Sequence, residues 1–214
     1  MTVHLLRIDT PTAAEAAELW AAFPKRAAAA ARLRQEADRR RALAGTWLLR
    51  HALGLEDETL LRDGPQGKPG AEGFPPFSLS HSGDWAMLAL GEAELGADLE
   101  AVAPRRLGAL RRLCTPEEAA WAGDSPARFF QLWTWKEAVM KATGLGLALS
   151  PRKLCVLPFT EGQPVEAAGG RWHAVPVQAP EGYALGLCSA RPGETADIRD
   201  WSGAILLAEL KYDG

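Results

Sequence analysis

The sequence predicts an α+β fold made of two units of similar size. An alanine-rich stretch with helical apolar spacing fills residues 12–55, and short alternating strands follow it. The same succession of helices and then strands recurs beyond about residue 93. The units are placed at residues 1–92 and 93–214, with no residue-level repeat visible between them.

Residues 3–8 read as a first strand, and residues 12–55 as two or three helices, the second opened by Pro24. Residues 63–76 hold four glycines and four prolines among few apolar side chains, which predicts a loop long enough to carry function. Residues 77–80, 85–90 and 95–100 are short strands separated by His-Ser-Gly-Asp and Gly-Glu-Ala-Glu turns. Thr115-Pro116-Glu117-Glu118 has the form of a capping box with proline at the first helical position. Ser125-Pro126 opens a longer helix reaching about Thr143. Residues 153–157, 171–177 and 183–188 complete the pattern as strands, with 161–170 as a hairpin connection.

The bulk numbers bound the function. A chain of 214 residues, 47% hydrophobic and 24% charged, buries a substantial core as an ordinary soluble protein. Its formal charge of −3 gives no support for nucleic-acid binding driven by overall charge, so a polyanion must be met locally. Cys114, Cys155 and Cys188 are odd in number and in no CxxC arrangement, which points away from a disulfide framework or a zinc site. The first residues lack the apolar core of a signal peptide, and the longest apolar stretch, near 42–55, is interrupted by Arg50 and His51. A cytoplasmic protein with neither a membrane nor a nucleic-acid partner is expected.

Three clusters carry chemistry. In Leu95-Gly96-Ala97-Asp98-Leu99-Glu100 the two acids are one residue apart, so a strand points both carboxylates to one face. Paired carboxylates resist joint ionisation unless a cation compensates, and Mg²⁺ takes one or two carboxylates together with substrate phosphates. Taken alone, the pair equally suits a solvated strand edge. The second cluster is the helix 131–144, where spacing by four aligns Trp133, Glu137 and Lys141 on one face, beside an apolar stripe of Leu132, Trp135 and Val139. An exposed Glu–Lys pair at this spacing is worth only a few tenths of a kcal/mol, but the aligned tryptophan marks a partly buried face. Third, Gly67-Lys68-Pro69 and Ser80-His81-Ser82-Gly83 offer a cation, hydroxyls, an imidazole and backbone N–H groups suited to phosphate. No Gly-x-Ser-x-Gly elbow or Gly-x-x-x-x-Gly-Lys-Ser/Thr loop is present.

In this order the fragments resemble the Sfp-type 4′-phosphopantetheinyl transferases of the holo-[acyl-carrier-protein] synthase superfamily. That family combines a Gly-x-Asp-x-Glu strand, here Gly96 to Glu100, with a Trp-x-x-Lys-Glu-x-x-x-Lys helix, here Trp133 to Lys141. Gly67-Lys68-Pro69 and Ser80-His81-Ser82-Gly83 are similar to its coenzyme A elements, and residues 39–45 to its N-terminal arginine helix. The resemblance spans roughly residues 24–156. It implies a pseudo-twofold fold with coenzyme A between the subdomains, acting as a monomer, and transfer of its phosphopantetheine arm to a serine of an apo acyl or peptidyl carrier protein. Asp98, Glu100 and Glu137 are then the ligands of Mg²⁺, with Mn²⁺ as a substitute. Glu137 is the base for the carrier serine, and Lys141 stabilises the phosphate and the leaving 3′,5′-ADP. Arg41, Lys68, Ser80 and His81 hold the nucleotide end, with Arg26 a further basic candidate, and Glu118 stands where relatives often have another acid near the metal.

Two departures from the family pattern stand out. Leu145 replaces a common lysine between two glycines, and the run Ala27 to Ala31 lacks basic residues that some relatives carry. Arg105, Arg106, Arg111 and Arg112 form either a docking patch for an acidic carrier helix or a solvated helix face. Two rival functions share the motifs: a non-catalytic module binding coenzyme A or a carrier protein, and a Mg²⁺-dependent coenzyme A pyrophosphatase with water as nucleophile. Neither the carrier nor its pathway, whether fatty-acid, polyketide, peptide or lysine-type, is readable from the residues.

Overall fold

The computed structural model describes residues 1–64 and 66–203; residues 204–214, the end of the expected second unit, lie outside the described residues. The fold is mixed α+β, with six α-helices among the described residues. The alanine-rich region forms three of them, α1 (Ala13–Ala22), α2 (Pro24–Ala31) and α3 (Glu36–His51). Thr12 and Glu15 close a capping box on α1, and Pro24 stands at the start of α2. The N-terminus of α2 is also held from a distance, since the buried Glu58 carboxylate accepts the Lys25 N–H at 2.9 Å.

The first sheet contains β1 (Thr2–Arg7), β4 (Phe77–Ser82), β5 (Trp85–Leu90) and β10 (Asp197–Asp200), in the order β10-β1-β5-β4. The second contains β6 (Leu95–Ala101), β7 (Val165–Ala167), β8 (Gly170–Ala174) and β9 (Tyr183–Ser189), in the order β6-β9-β8-β7. Strand alternation builds the layers. Leu6, Ala86 and Leu88 face α1 and α3, whereas Val3, Leu5, Trp85 and Met87 face Leu95, Ala97, Leu99, Leu185 and Leu187 of the second sheet. The outer side of that sheet is covered by α6 (Pro126–Ala142), preceded by α4 (Leu107–Arg111) and α5 (Pro116–Ala122).

Several expectations need correction. The 63–76 loop contains β3 (Pro69–Ala71), paired with β2 (Leu61–Asp63) as a small ribbon, because Pro69 sits at a strand's first residue where it need not continue a ladder. Residues 153–157 form no strand; the Val156 N–H goes to Glu118 Oε1 at 2.8 Å and the Leu154 carbonyl to Lys136, so side chains replace the ladder. The connection 161–170 itself contains β7, and β8 stops at Ala174 rather than 177. Strand β10, which has little apolar alternation to announce it, returns from the second half of the chain and pairs in parallel with β1 of the first.

Two contacts between β-strand glycines and α6 position the site. A Cβ on Gly96 of β6 would lie 1.9 Å from the Ala138 carbonyl oxygen, and one on Gly186 of β9 would lie 2.3 Å from that of Thr134. Only glycine lets the α6 backbone rest directly on this strand pair. Replacing Gly96 with alanine is expected to cost at least the ~1–3 kcal/mol of ordinary overpacking. Urea unfolding would reveal this as a lower midpoint, and an unchanged midpoint would contradict the close approach.

Candidate active site

Strand alternation and helical spacing bring the predicted residues together. On β6, Gly96, Asp98 and Glu100 share the face toward α6, while Leu95, Ala97 and Leu99 enter the core between the sheets. On α6, Trp133, Glu137 and Lys141 all line one cavity of about 430 Å³. Asp98, Glu100, Ser80, His81 and Arg26 line the same cavity. Arg41 and Lys68 do not. The Arg41 guanidinium donates to the Gly83 carbonyl at 2.8 Å and pairs with Asp38, just behind the His81 turn. Lys68 pairs with Glu94 at 3.2 Å, donates to the Leu95 carbonyl and lines a second cavity of about 650 Å³; Pro69 borders both cavities.

Each carboxylate has a distinct environment. Asp98 is buried, and its Oδ1 accepts from Ser80 Oγ and from Lys141 Nζ, both at 2.7 Å. Its Oδ2 is buried with no hydrogen-bond partner. Burial pushes its carboxyl above the usual aspartate range, against the opposing Lys141 charge. Burial also acts to raise Glu100, but bonds from Arg106 (2.7 and 3.2 Å) and Ser82 (2.8 Å) outweigh it and hold the group below the usual glutamate range. The Trp133 indole donates to the same carboxylate at 3.4 Å. Glu137 is pushed up to about 7, by burial first and then by the Asp98 charge, with Lys141 opposing. Although His81 reaches solvent, the protein around it, followed among the nearby charges by Lys141 and Arg41, holds its imidazole below the usual histidine value.

Among the described residues no three His, Cys, Asp or Glu side chains form a ready-made metal cluster. The donor set nevertheless fits a hard dication. Asp98 Oδ2 is a buried oxygen without a hydrogen-bond partner, Glu100 lies two residues along the same strand face, and Mg²⁺ needs only one or two carboxylates when a bound phosphate supplies other oxygens. The charges of Asp98 and Glu100 also raise Glu137, an effect that a cation among them would relieve.

Glu118 stands elsewhere. It closes the capping box with Thr115, accepts from the Val156 N–H and pairs at 2.7 Å with Lys136, the two side chains being 0% and 1% exposed. A buried pair at this depth organises α5, α6 and the 151–156 segment. Lys136 and Lys141, two lysines of one helix, thus face opposite sides. Sequence reasoning gave Ser82 only to the phosphate-suited turn and missed its contact with Glu100, although serines at 78, 80 and 82 alternate along one strand face and so carry a signal. It read Arg106 only as part of a surface patch, because nothing local shows that the chain after β6 folds back onto Glu100.

The Glu137 environment has a consequence for stability. Its folded-state value exceeds that of a free glutamate, so between about 4.5 and 7 the folded protein binds more protons than the unfolded chain, and stability falls as pH rises through that window. Glu137→Gln is expected to flatten that fall in thermal unfolding followed across the window in metal-free buffer. An unaltered slope would place the perturbed carboxyl elsewhere.

Comparison with known proteins agrees with the resemblance noted in the sequence. The family model of the 4′-phosphopantetheinyl transferase superfamily matches residues 94–188, from the start of β6 into β9. The chain is 32% identical over 204 residues to the 4′-phosphopantetheinyl transferase psf-1 of Bacillus pumilus, covering 88% of this chain and 87% of that protein. It is 26% identical over 215 residues to the 4′-phosphopantetheinyl transferase Sfp of Bacillus subtilis strain 168, covering 92% and 96%. Over a shorter span of 112 residues it is 39% identical to the 4′-phosphopantetheinyl transferase AcpT of Salmonella typhi, covering 48% and 57%. With a relative this similar along most of both chains, and with the family model spanning the acidic strand and the helix facing it, the chain belongs to the 4′-phosphopantetheinyl transferase superfamily.

Proposed function

We propose that this protein transfers the 4′-phosphopantetheine of coenzyme A to a serine of an apo acyl or peptidyl carrier protein, releasing adenosine 3′,5′-bisphosphate. The observation that carries the reading is the convergence of Asp98, Glu100, Glu137 and Lys141 in one cavity with Arg26 and His81. Acids and basic groups lining one cavity suit a diphosphate whose charge is shared between a cation and the protein. The unit 1–92 would face the nucleotide end, and 93–214 would carry the metal and catalytic groups, with coenzyme A between them.

Asp98, Glu100 and Glu137 are the residues to hold Mg²⁺, or Mn²⁺ in its place. Bound there, the ion would neutralise charge on the diphosphate and favour in-line displacement. Glu137, lining the same cavity, takes the proton of the attacking carrier serine directly or through water. Lys141, fixed by Asp98 and by the carbonyls of Leu79 and Ala97, presents positive charge to the phosphate without having to reorganise. Arg26 and His81 hold the nucleotide phosphates from the cavity wall, Ser80 beside them, with Arg41 and Lys68 acting from outside it. The leaving group is a good one, so positioning and charge neutralisation supply most of the acceleration.

Carrier docking falls to the segment after β6. Arg106 is tied to Glu100, and Arg111 to Asp124 and the face of Phe129, whereas Arg105 and Arg112 are exposed and make no ion pair among the described residues. Arg105 and Arg112 are thus free for an acidic partner. A monomer acting in the cytoplasm accords with this reading; no helix among the described residues is long and apolar enough to cross a membrane.

Mass spectrometry of an apo carrier protein incubated with coenzyme A, Mg²⁺ and this protein should record the gain of one phosphopantetheine. Glu137→Gln should slow that gain by about 10²–10⁴-fold. Coenzyme A consumed with no carrier modified would favour hydrolysis, and coenzyme A bound but unconsumed would favour a binding module. Charge reversal of Arg105 and Arg112 should raise the apparent KM for carrier while leaving that for coenzyme A unchanged; an unmoved carrier KM would remove the docking assignment.

A further inference from the structure

Strand β4 does not pair with β6 through its backbone, yet the two run side by side. Three serine side chains join them. The N–H groups of Ala97, Leu99 and Ala101 on the free edge of β6 donate to the hydroxyl oxygens of Ser78 (3.0 Å), Ser80 (3.2 Å) and Ser82 (3.0 Å). A hydroxyl that accepts a backbone N–H keeps its own proton to give. Ser78 gives its proton to the Ala97 carbonyl at 3.3 Å. Ser80 gives its proton to Asp98 Oδ1 at 2.7 Å, and Ser82 to Glu100 Oε2 at 2.8 Å.

The geometry assigns Ser80 and Ser82 as positioning residues for the two β6 carboxylates, each serine passing the fixed direction of a β6 N–H on to the neighbouring acid. The inference rests on the proposal that Asp98 and Glu100 hold a dication. At Asp98 the serine and Lys141 both take Oδ1, which leaves Oδ2 as the buried, unpartnered oxygen available to a cation. At Glu100 the serine holds Oε2 from the strand side, so the carboxylate keeps an anchor when a cation displaces the half-exposed Arg106. Ser78 belongs to the same ladder and touches no carboxylate, which separates joining the sheets from aiming the acids.

The test uses Mn²⁺ alone as probe, its binding followed by electron paramagnetic resonance, on wild type, Ser78→Ala, Ser80→Ala, Ser82→Ala and Ser82→Thr, with thermal unfolding of each. Loss of an outer hydrogen-bond partner typically costs about 10–100-fold in metal affinity. Ser80→Ala and Ser82→Ala are expected to weaken Mn²⁺ binding by that factor, Ser82→Thr to restore it, and Ser78→Ala to lower the melting temperature with affinity unchanged. Equal affinity in wild type and in Ser82→Ala would overturn the assignment, as would a Ser78→Ala loss as large as the others. Should Ser80→Ala fail to fold, the half-buried Ser82 decides the matter by itself. If wild type binds no Mn²⁺, the metal reading fails, and the positioning role goes with it.

Discussion

Everything at the site depends on how closely α6 lies against β6 and β9. Gly96 and Gly186 remove the side chains that would hold the helix away, and the backbone carbonyls of Ala138 and Thr134 occupy the space. The same helix brings Lys141 Nζ within 2.7 Å of Asp98 Oδ1 and sets Glu137 in the cavity that Asp98 and Glu100 line. The glycine of the Gly-x-Asp-x-Glu element is therefore a packing residue, standing two positions before the first acid on the same strand face. Its reason for being glycine is steric, and its effect is electrostatic.

That closeness concentrates negative charge in a place where water is scarce. The protein balances it unevenly. Asp98 meets Lys141, Glu100 meets Arg106, and Glu137, which makes no ion pair among the described residues, is pushed up to about 7 by burial and by the neighbouring acids. A site left in this condition costs stability in the absence of a cation, which is a common expense of a preorganised centre. The second buried pair, Glu118 with Lys136, is the reverse case: fully enclosed, saturated with backbone partners, and remote from the cavity. One face of α6 thus holds an unsettled charge cluster for chemistry and the other a settled one for architecture.

The free edges of the two sheets show the same economy. An unpaired β-edge buried against another strand would strand its N–H and carbonyl groups. Here serine hydroxyls and lysine ammonium groups satisfy them: Lys68 takes the Leu95 carbonyl, Lys141 bridges the Leu79 and Ala97 carbonyls, and the serines take the N–H groups. Groups that a sequence reader assigns to phosphate therefore also hold the two halves together. Strand β10 returns to β1, and just beyond it Trp201 donates to His4 and packs on Trp47.

Period-two and period-four spacing is local, and so the sequence by itself determined that Asp98 and Glu100 share a strand face and that Trp133, Glu137 and Lys141 share a helix face. The capping box at Thr115 and an alanine-rich stretch of two or three helices were legible for the same reason, being set by neighbours within a turn. What only the tertiary structure decided were contacts that no strand or helix period encodes: Ser82 on Glu100, Arg106 on Glu100, Lys136 on Glu118, and the parallel return of β10. The strand expected at 153–157 does not form for the same reason, since its backbone groups are answered by Glu118 and Lys136, side chains 18 to 38 residues away in sequence. Local spacing chooses which side chains point together. Only packing chooses what they point at.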